Sequence, residues 1–452
     1  MSKSIELYHT LPNFLKQIAC SFEGKKISKR RYDSNFHELL HEYNQRLQLS
    51  KTEFFQFRNK LLVKFIKYAI ENIPYYSQIY KEEFQTVDDL SKLPILSKEI
   101  VRTNSHQLSP IFKNNSDNIC SHTSGTTGAG LVFPVSKLAE KHQWATWWRY
   151  RNNLGIAFKT KCGIFTGQPI VASSQNKPPY WMQNKSNNEI IFSGYHLHQE
   201  NIADYVNALN KFKVEWLHGY PSNIAMLSKL MNEQKISLNH KVKFITTGAE
   251  SLLTSQRNLI ESTFQTKVFN HYGLAEGVAN ISECKFGNLH IDEDFSFVEL
   301  LPLGDNKYKI IGTNFHNKAF PLLRYDTCDI ATIDEGKQEC LCLHKGRIIS
   351  SIDGRIEDYI YLLDGTPIGR LDHLFKDLTH VKLAQIYQSE IGQIEIRIVK
   401  DSNYTEDEEK KLISEITMRM GNKLNFKILY VDKINKTKSG KFRFIVSDIN
   451  TK

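Results

Sequence analysis

Between about Cys120 and Asp353 the chain alternates short β-branched runs with helical stretches. Four of the runs, KCGIFTG, VEWLHGY, VKFITTGAE and TKVFNHYG, end in a glycine-containing loop. This alternation predicts an α/β fold, in which the loops after the strands carry ligand sites. The flanks read differently. The first hundred residues are predicted to be mostly helical: FRNKLLVKFIKYAIENIPYYSQIY places Leu61, Leu62, Phe65, Ile66, Ala69 and Ile70 at helical spacing and stops at Pro74. Beyond Asp353 the chain reads as a smaller α+β unit. There QIEIRIV sets Ile394, Ile396 and Ile398 on one face of a strand, and Thr405 and Glu408 form a capping box before Leu412, Ile413 and Ile416. The predicted organisation is a large domain over 1–353, helical to about residue 115, and a small, mobile domain over 354–452.

Composition narrows the function classes. With 452 residues the chain is long enough for a sizeable core. No apolar run approaches the length of a membrane span. LPNFLKQIACSF is too short, and too broken by Lys16 and Gln17, for a signal peptide, so a cytoplasmic location is expected. Seven cysteines in such a chain favour free thiols or metal ligands over a disulfide framework. The net charge of +10 raises nucleic acid as a partner. The lysines and arginines are spread rather than clustered, however, and no nucleic-acid-binding signature is present, so no nucleic-acid partner is expected. A phosphorylated small molecule suits the charge equally well.

One stretch, HTSGTTGAG from His122 to Gly130, crowds glycines and hydroxyls into a loop. Such a loop lets backbone N–H groups and small donors converge on a phosphate chain, because no side-chain bulk holds the backbone away. It lacks the Gly-Lys-Ser/Thr ending of a P-loop, and taken alone it reads equally well as a flexible turn.

Four further motifs follow it in order: HYGLAEG (His271–Gly277), LLRYDTCDIA (Leu322–Ala331), GRIEDYI (Gly354–Ile360) and KTKSGKFR (Lys436–Arg443). Together the five resemble the signature series of adenylate-forming enzymes, the superfamily of acyl-CoA synthetases, adenylation domains and luciferases. IENIPYYSQIY, LSKLPILSKEIVR and HGYPSNIAMLSKL are similar to segments of the phenylacetate-CoA ligase family. DGTPIGRLDHLFKDL resembles the CapK-like branch, which is named for capsular polysaccharide biosynthesis. The resemblance covers about residues 55 to 445.

The resemblance implies an ATP-dependent ligase that joins a carboxylic acid to AMP, releases pyrophosphate and passes the acyl group to an acceptor. It places Ser124, Gly125, Thr126, Thr127 and Gly128 around the β- and γ-phosphates of ATP. Glu276 takes the position of a Mg2+ ligand, a hard oxygen donor for an ion bridging phosphates. Tyr272, beside Gly273, takes that of the ring stacked on adenine, and TGAES, with Gly248, Ala249 and Glu250, frames the base and the acyl pocket. Asp329 stands where a carboxylate accepts both ribose hydroxyls, Arg355 where an arginine contacts ribose and phosphate, and Lys441 where the catalytic lysine of the small domain reaches the reacting groups. Glu357 occupies the hinge, where aspartate or lysine is more usual. Cys328 replaces a glycine, Ala275 a hydroxyl or small polar residue, and Ala129 the lysine of some relatives.

Cys284 and His290, in CKFGNLH, and Cys340 and Cys342, in ECLCLH, form a set of soft donors suited to tetrahedral zinc, with His344 as an alternative fourth ligand. Their positions resemble a structural zinc site of some family members. Neither the WATWWRYR cluster, whose Trp147, Trp148 and Tyr150 also suit helix packing, nor SGYHLH (Ser193–His198) identifies the acid. The acceptor is left open between CoA, a carrier and a sugar, a homodimer is a default only, and the alternative of another class is a non-catalytic nucleotide-binding scaffold.

Overall fold

The computed structural model describes residues 3–110, 117–123, 131–172, 174–250, 252, 254–304, 306–334, 336, 339–353, 360–368, 371–375, 378, 380–400, 402–434 and 445–449. The N-terminal part is helical as expected: α1 (Lys3–Thr10), α2 (Asn13–Arg31), α3 (Ser34–Gln45), α4 (Lys51–Asn72), α5 (Pro74–Ile79) and α6 (Lys98–Thr103). Ser50 and Glu53 close a capping box at the start of α4. Its last turn ends at Asn72, and Pro74, with no N–H to offer, opens α5. A hairpin of β1 (Asn118–His122) and β2 (Val132–Ser136) leads into α7 (Lys137–Asn153), whose N-terminus is capped by the Ser136 hydroxyl.

The α/β core then unfolds in chain order as β3 (Cys162–Thr166), β4 (Trp181–Asn184), β5 (Glu189–Ser193), α8 (Ile202–Phe212), β6 (Trp216–Gly219), α9 (Pro221–Glu233), β7 (Phe244–Gly248), α10 (Thr254–Phe264), β8 (Val268–Gly273), β9 (Asn280–Glu283) and β10 (Leu289–Ile291). After β11 (Ser296–Gly304), β12 (Lys307–Asn314) and β13 (Tyr325–Thr332), the short β14 (Ile348–Ile349) returns to complete a nine-stranded sheet of order β14-β10-β9-β8-β7-β6-β3-β5-β4. The four runs singled out in the sequence are β3, β6, β7 and β8. They pair with one another in parallel and β5 joins β3 in parallel, while the antiparallel β4 and β9 lie at the two ends of this parallel block. The period-2 alternation serves two cores. Trp216 faces α3 and α7 with Phe36, Tyr43 and Trp148, whereas Leu217 faces α8, α9 and α10 with Tyr205, Ile224 and Ile260. Helices therefore cover both faces, and the loops after the parallel strands emerge together at one edge.

A second, antiparallel sheet places β15 (Ser351–Asp353) beside β13, in the order β11-β12-β13-β15. From Ile360 the chain builds a separate hydrophobic core. Its elements are the β16 (Ile360–Tyr361) and β17 (Pro367–Ile368) hairpin, β18 (Val381–Glu390), β19 (Gln393–Lys400), α11 (Glu406–Met420), β20 (Asn425–Tyr430) and β21 (Ile445–Ser447), with a four-stranded sheet of order β20-β19-β18-β21. Ile394, Ile396 and Ile398 are buried together, and the Thr405–Glu408 capping box is formed. Ile413 is exposed, while Leu412, Ile416 and Met420 carry the buried apolar stripe of α11. The two cores meet where Arg419 of α11, paired with Glu415 at 2.7 Å, donates to Gly167 O at 2.8 Å and Tyr195 Oη at 2.9 Å, just beyond β3 and β5.

Three consecutive acids, Asp292, Glu293 and Asp294, are buried behind the sheet, and each is paired. Arg149 of α7 reaches Asp292 and Asp294 at 2.7 Å, while Arg58 of α4 and Arg347 hold Glu293 at 2.7 and 3.0 Å. These ion pairs tie the N-terminal helices to the region between β10 and β11.

Candidate functional site

The site gathers at the carboxyl edge of the parallel strands. β7 ends in Gly248, where an added Cβ would stand 2.9 Å from His271 O on the neighbouring strand, so only glycine allows this approach. Ala249 follows in the left-handed region, at φ +66°, a strained conformation of the kind that collects at functional sites. Glu250 then accepts from Ser222 N at 3.2 Å, at the N-terminus of α9, where the helix dipole and open N–H groups favour a carboxylate. One strand over, Gly273 closes β8 within 3.5 Å, measured from an added Cβ, of His271, Asn280 and Trp147.

Two motifs interlock here through reciprocal tyrosine–carboxylate bonds. Tyr272, from HYGLAEG, donates its hydroxyl to Asp329 Oδ2 at 2.7 Å. Tyr325, from LLRYDTCDIA, donates to Glu276 Oε1 at 3.2 Å. Both carboxylates are almost fully buried. Burial and the Asp329 charge push the Tyr272 hydroxyl well above its ordinary pKa, with Glu276 adding to the same field, so it stays a donor at neutral pH. Asn314 Nδ2 fixes the backbone of Glu276 at 3.3 Å, and Thr327 Oγ1 receives the N–H of Asp329 at 3.1 Å.

Cys328 adopts φ +61° beside a register shift between β12 and β13. This left-handed turn is the physical reason a glycine suits that position, and the bulge aims Asp329 at Tyr272. The N-terminal segments brace the same motif. Leu96 pairs with Tyr325 as an isolated bridge, its N–H bonding Arg324 O and its carbonyl receiving Asp326 N, both at 2.9 Å. Tyr76 Oη donates to Pro321 O at 2.9 Å and accepts from Leu323 N at 3.1 Å.

The aromatic cluster of α7 packs against the sheet beside the site. Trp148 and Tyr150 are buried, and Trp147 Nε1 bonds Asn280 at 2.8 Å. His271 and His218 lie against this layer. Burial lowers their rings to about 4 and about 3, which keeps them neutral. In SGYHLH, Ser193 Oγ meets His196 Nδ1 at 2.8 Å, and the hydroxyl of Tyr195 is engaged by Arg419.

The soft-donor set assembles as expected: one ligand atom from each of Cys284, His290, Cys340 and Cys342 falls within 4.8 Å of the others. Cys284 Sγ and Cys340 Sγ are 3.6 Å apart, and Cys342 Sγ and His290 Nε2 3.2 Å. The edges of a tetrahedron with metal bonds of about 2.0–2.3 Å are of this size. His290 Nδ1 faces Gly346 O at 3.3 Å, which leaves Nε2 for the cluster. His344 does not join it. Its Nε2 bonds Asp292 at 2.9 Å and its Nδ1 accepts Gly346 N at 3.1 Å, so both ring nitrogens are engaged elsewhere.

Ser124, Gly125, Thr126, Thr127, Gly128, Ala129, Arg355, Glu357 and Lys441 lie outside the described residues. Tyr325, Asn314 and Thr327 were not singled out in the sequence. Tyr325 could have been, since it stands inside a recognised motif, whereas Asn314 carried no signal.

Residues 362–448 match the model of the CapK C-terminal domain. Over 453 aligned residues the chain is 28% identical to Protein CapK of Staphylococcus aureus, across 98% of this chain and 99% of that one. The chain resembles CapK over its whole length, and its C-terminal part matches the CapK C-terminal domain. Its fold is shared with 2-hydroxyisobutyryl-CoA ligase. The structure of that enzyme with 2-HIB-AMP and CoA in the thioesterification state gives a TM-score of 0.53 at 16% identity, covering 89% of this chain and 91% of that one. The same ligase in the postadenylation state gives 0.51 at 15% identity, covering 90% and 92%. The chain thus shares the fold of this ligase, a mixed α/β architecture with a C-terminal domain, as the motif order led us to expect. No helix among its described residues is long and apolar enough to cross a membrane.

Proposed function

We propose that this CapK-like chain is an ATP-dependent carboxylate-activating ligase with a large domain over 1–353 and a small one over 354–452. The observation that carries the reading is the interlock of Tyr272 with Asp329 and Tyr325 with Glu276. It holds two acids from separate motifs, each with a hydroxyl donor, at the edge where α/β folds bind ligands. Asp329 receives the ribose hydroxyls. A carboxylate has about four acceptor sites, more than Tyr272 and two hydroxyls require. Tyr272 and the Gly248–Glu250 turn border the base, while Ser124–Gly128 wrap the phosphates. Glu276 is the ligand for Mg2+, which when bound supplies positive charge against the phosphate oxygens. Arg355 and Lys441 bring further cations to the meeting of two anions.

In the first step a carboxylate oxygen attacks the α-phosphorus, the bond to the bridging oxygen of the β-phosphate breaks and pyrophosphate leaves. In the second, an acceptor nucleophile attacks the acyl carbonyl, AMP departs and the acceptor's proton passes to solvent. Movement about Glu357 would withdraw Lys441 between the two. The acyl group is destined for a cell-surface polysaccharide through a carrier or sugar, a reading supported by the likeness to CapK. CoA is the second candidate acceptor, because the ligase that shares the fold was solved with it. Zinc on Cys284, His290, Cys340 and Cys342 would clamp the loops beside β10, a role supported by their donor geometry.

Incubation with MgATP, a panel of aryl, fatty, hydroxy and amino acids and hydroxylamine tests the reading. A hydroxamate formed in step with AMP is expected for one acid class. ATP binding without AMP release from any acid would favour a non-catalytic scaffold.

A further inference from the structure

Helix α2 is turned inside out. Gln17 and Ser21 face the edge strand β4, where the Gln17 side-chain amide donates to Gln183 O and its Oε1 accepts Gln183 N, and Ser21 Oγ donates to Gln183 O at 3.0 Å. Gly24 lies so close to Asn184 that a Cβ would overlap the Asn184 side chain. The polar and small face of the helix therefore packs on protein. Phe14, Ile18 and Phe22 point outward instead, 61–70% exposed, with Leu7 of α1 beside them in sequence and equally exposed.

Spacing of i, i+4 and i+8 makes Phe14, Ile18 and Phe22 one stripe, and the next positions on that face, Lys25 and Lys29, continue it as exposed cations with Lys26 alongside. Arg30 and Arg31 do not belong to this row, because both are held by Glu140 at 2.7–2.8 Å. Within α2 itself the one carboxylate is Glu23, already 3.9 Å from Lys26. An outward face that is apolar at one end and cationic at the other fits an interface where hydrocarbon borders negative charge. It does not fit a second copy well. A two-fold pair would set the lysines against lysines in one direction and against phenylalanines in the other, with Glu23 the one acid that α2 offers them.

We propose that α2 is an interfacial anchor: it lays Phe14, Ile18 and Phe22 into the headgroup boundary of an anionic lipid surface, with Lys25, Lys26 and Lys29 against the phosphates. This is peripheral binding, in keeping with the absence of a spanning helix among the described residues. It is independent of the ligase reading.

The test is co-sedimentation of the full chain with vesicles of equal parts phosphatidylglycerol and phosphatidylcholine, and with phosphatidylcholine alone, at low and high salt. The intact chain is expected to bind the anionic vesicles at low salt. Binding should fall about tenfold or more both in Phe14→Ser/Ile18→Ser/Phe22→Ser and in Lys25→Glu/Lys29→Glu. These side chains are exposed, so the denaturation midpoints of both variants should match the parent. Three results would overturn the proposal: no binding of the parent at low salt, equal binding by the triple-serine variant, which would assign the effect to the general basic surface, and a parent dimer that the same variant dissolves while vesicles leave it unchanged.

Discussion

Asp329→Ala removes the carboxylate that Tyr272 holds at 2.7 Å and that the proposed reaction uses to seat ribose. Two hydroxyl bonds to an ionised, buried acceptor contribute about 1.5 kcal/mol each at the lower end of the range for charged groups. Their joint loss of about 3 kcal/mol corresponds to roughly 150-fold weaker ATP binding. Tyr272→Phe separates binding from folding. It deletes the hydroxyl donor but leaves the carboxylate, so it should lower stability by about 1–3 kcal/mol, because a buried acceptor loses a partner. Its effect on ATP affinity should be smaller than that of Asp329→Ala. Titration calorimetry with ATP and urea denaturation of the parent, both single variants and the double variant close the cycle. If folded Asp329→Ala binds ATP within about threefold of the parent, Asp329 does not receive the ribose, and the reading of the interlock as a nucleotide site is wrong.

Arg149→Met should destabilise the chain by about 3–5 kcal/mol in denaturant titration, since it removes the buried guanidinium shared by Asp292 and Asp294 and leaves Asp294 only the longer contact to Arg46 at 3.4 Å. A cost below about 1 kcal/mol would mean that these acids are not paired in solution. Elemental analysis of the purified chain should find zinc at one equivalent, lost in Cys342→Ser. A metal-free parent of normal stability would make the cluster four plain side chains. The rings of His142, His218 and His271 are lowered to about 3, 3 and 4 by burial, and that of His316 lies well below its ordinary value. The unfolded rings take up protons below about pH 6.5 and the folded ones do not, so stability is complete above that pH. As the pH falls toward the folded values it is lost by about 1.4 kcal/mol per pH unit for each ring. Denaturant midpoints at pH 7 and 5.5 check this, and equal midpoints would contradict neutral burial.

Much of the core could be read locally because its signals are local. β3, β6, β7 and β8 each carried their own apolar run and glycine, and the capping residues of α11, Thr405 and Glu408, are three positions apart. Gly248 illustrates a glycine whose necessity comes from a neighbour: the close atom belongs to His271, on the next strand. The antiparallel flanks β4, β9, β10 and β14 were invisible because strand order depends on partners far along the chain. The Asp292–Asp294 run shows the same limit, since nothing local marks three acids as buried until Arg149, Arg58 and Arg347 arrive from distant segments. Cys328 is a sharper case. Its side chain hid a left-handed turn that a glycine would have announced. The outward stripe of α2 escaped because apolar spacing alone cannot say which face a helix buries.

The central claim is that this site joins a carboxylate to AMP, and ATP–pyrophosphate exchange measures that step directly, without knowledge of the acceptor. Exchange stimulated by one class of acid in the parent and abolished in Lys441→Ala is the expected result. Intact ATP binding with no exchange from any acid in the panel would contradict it, and exchange that survives in Lys441→Ala would remove Lys441 from the step.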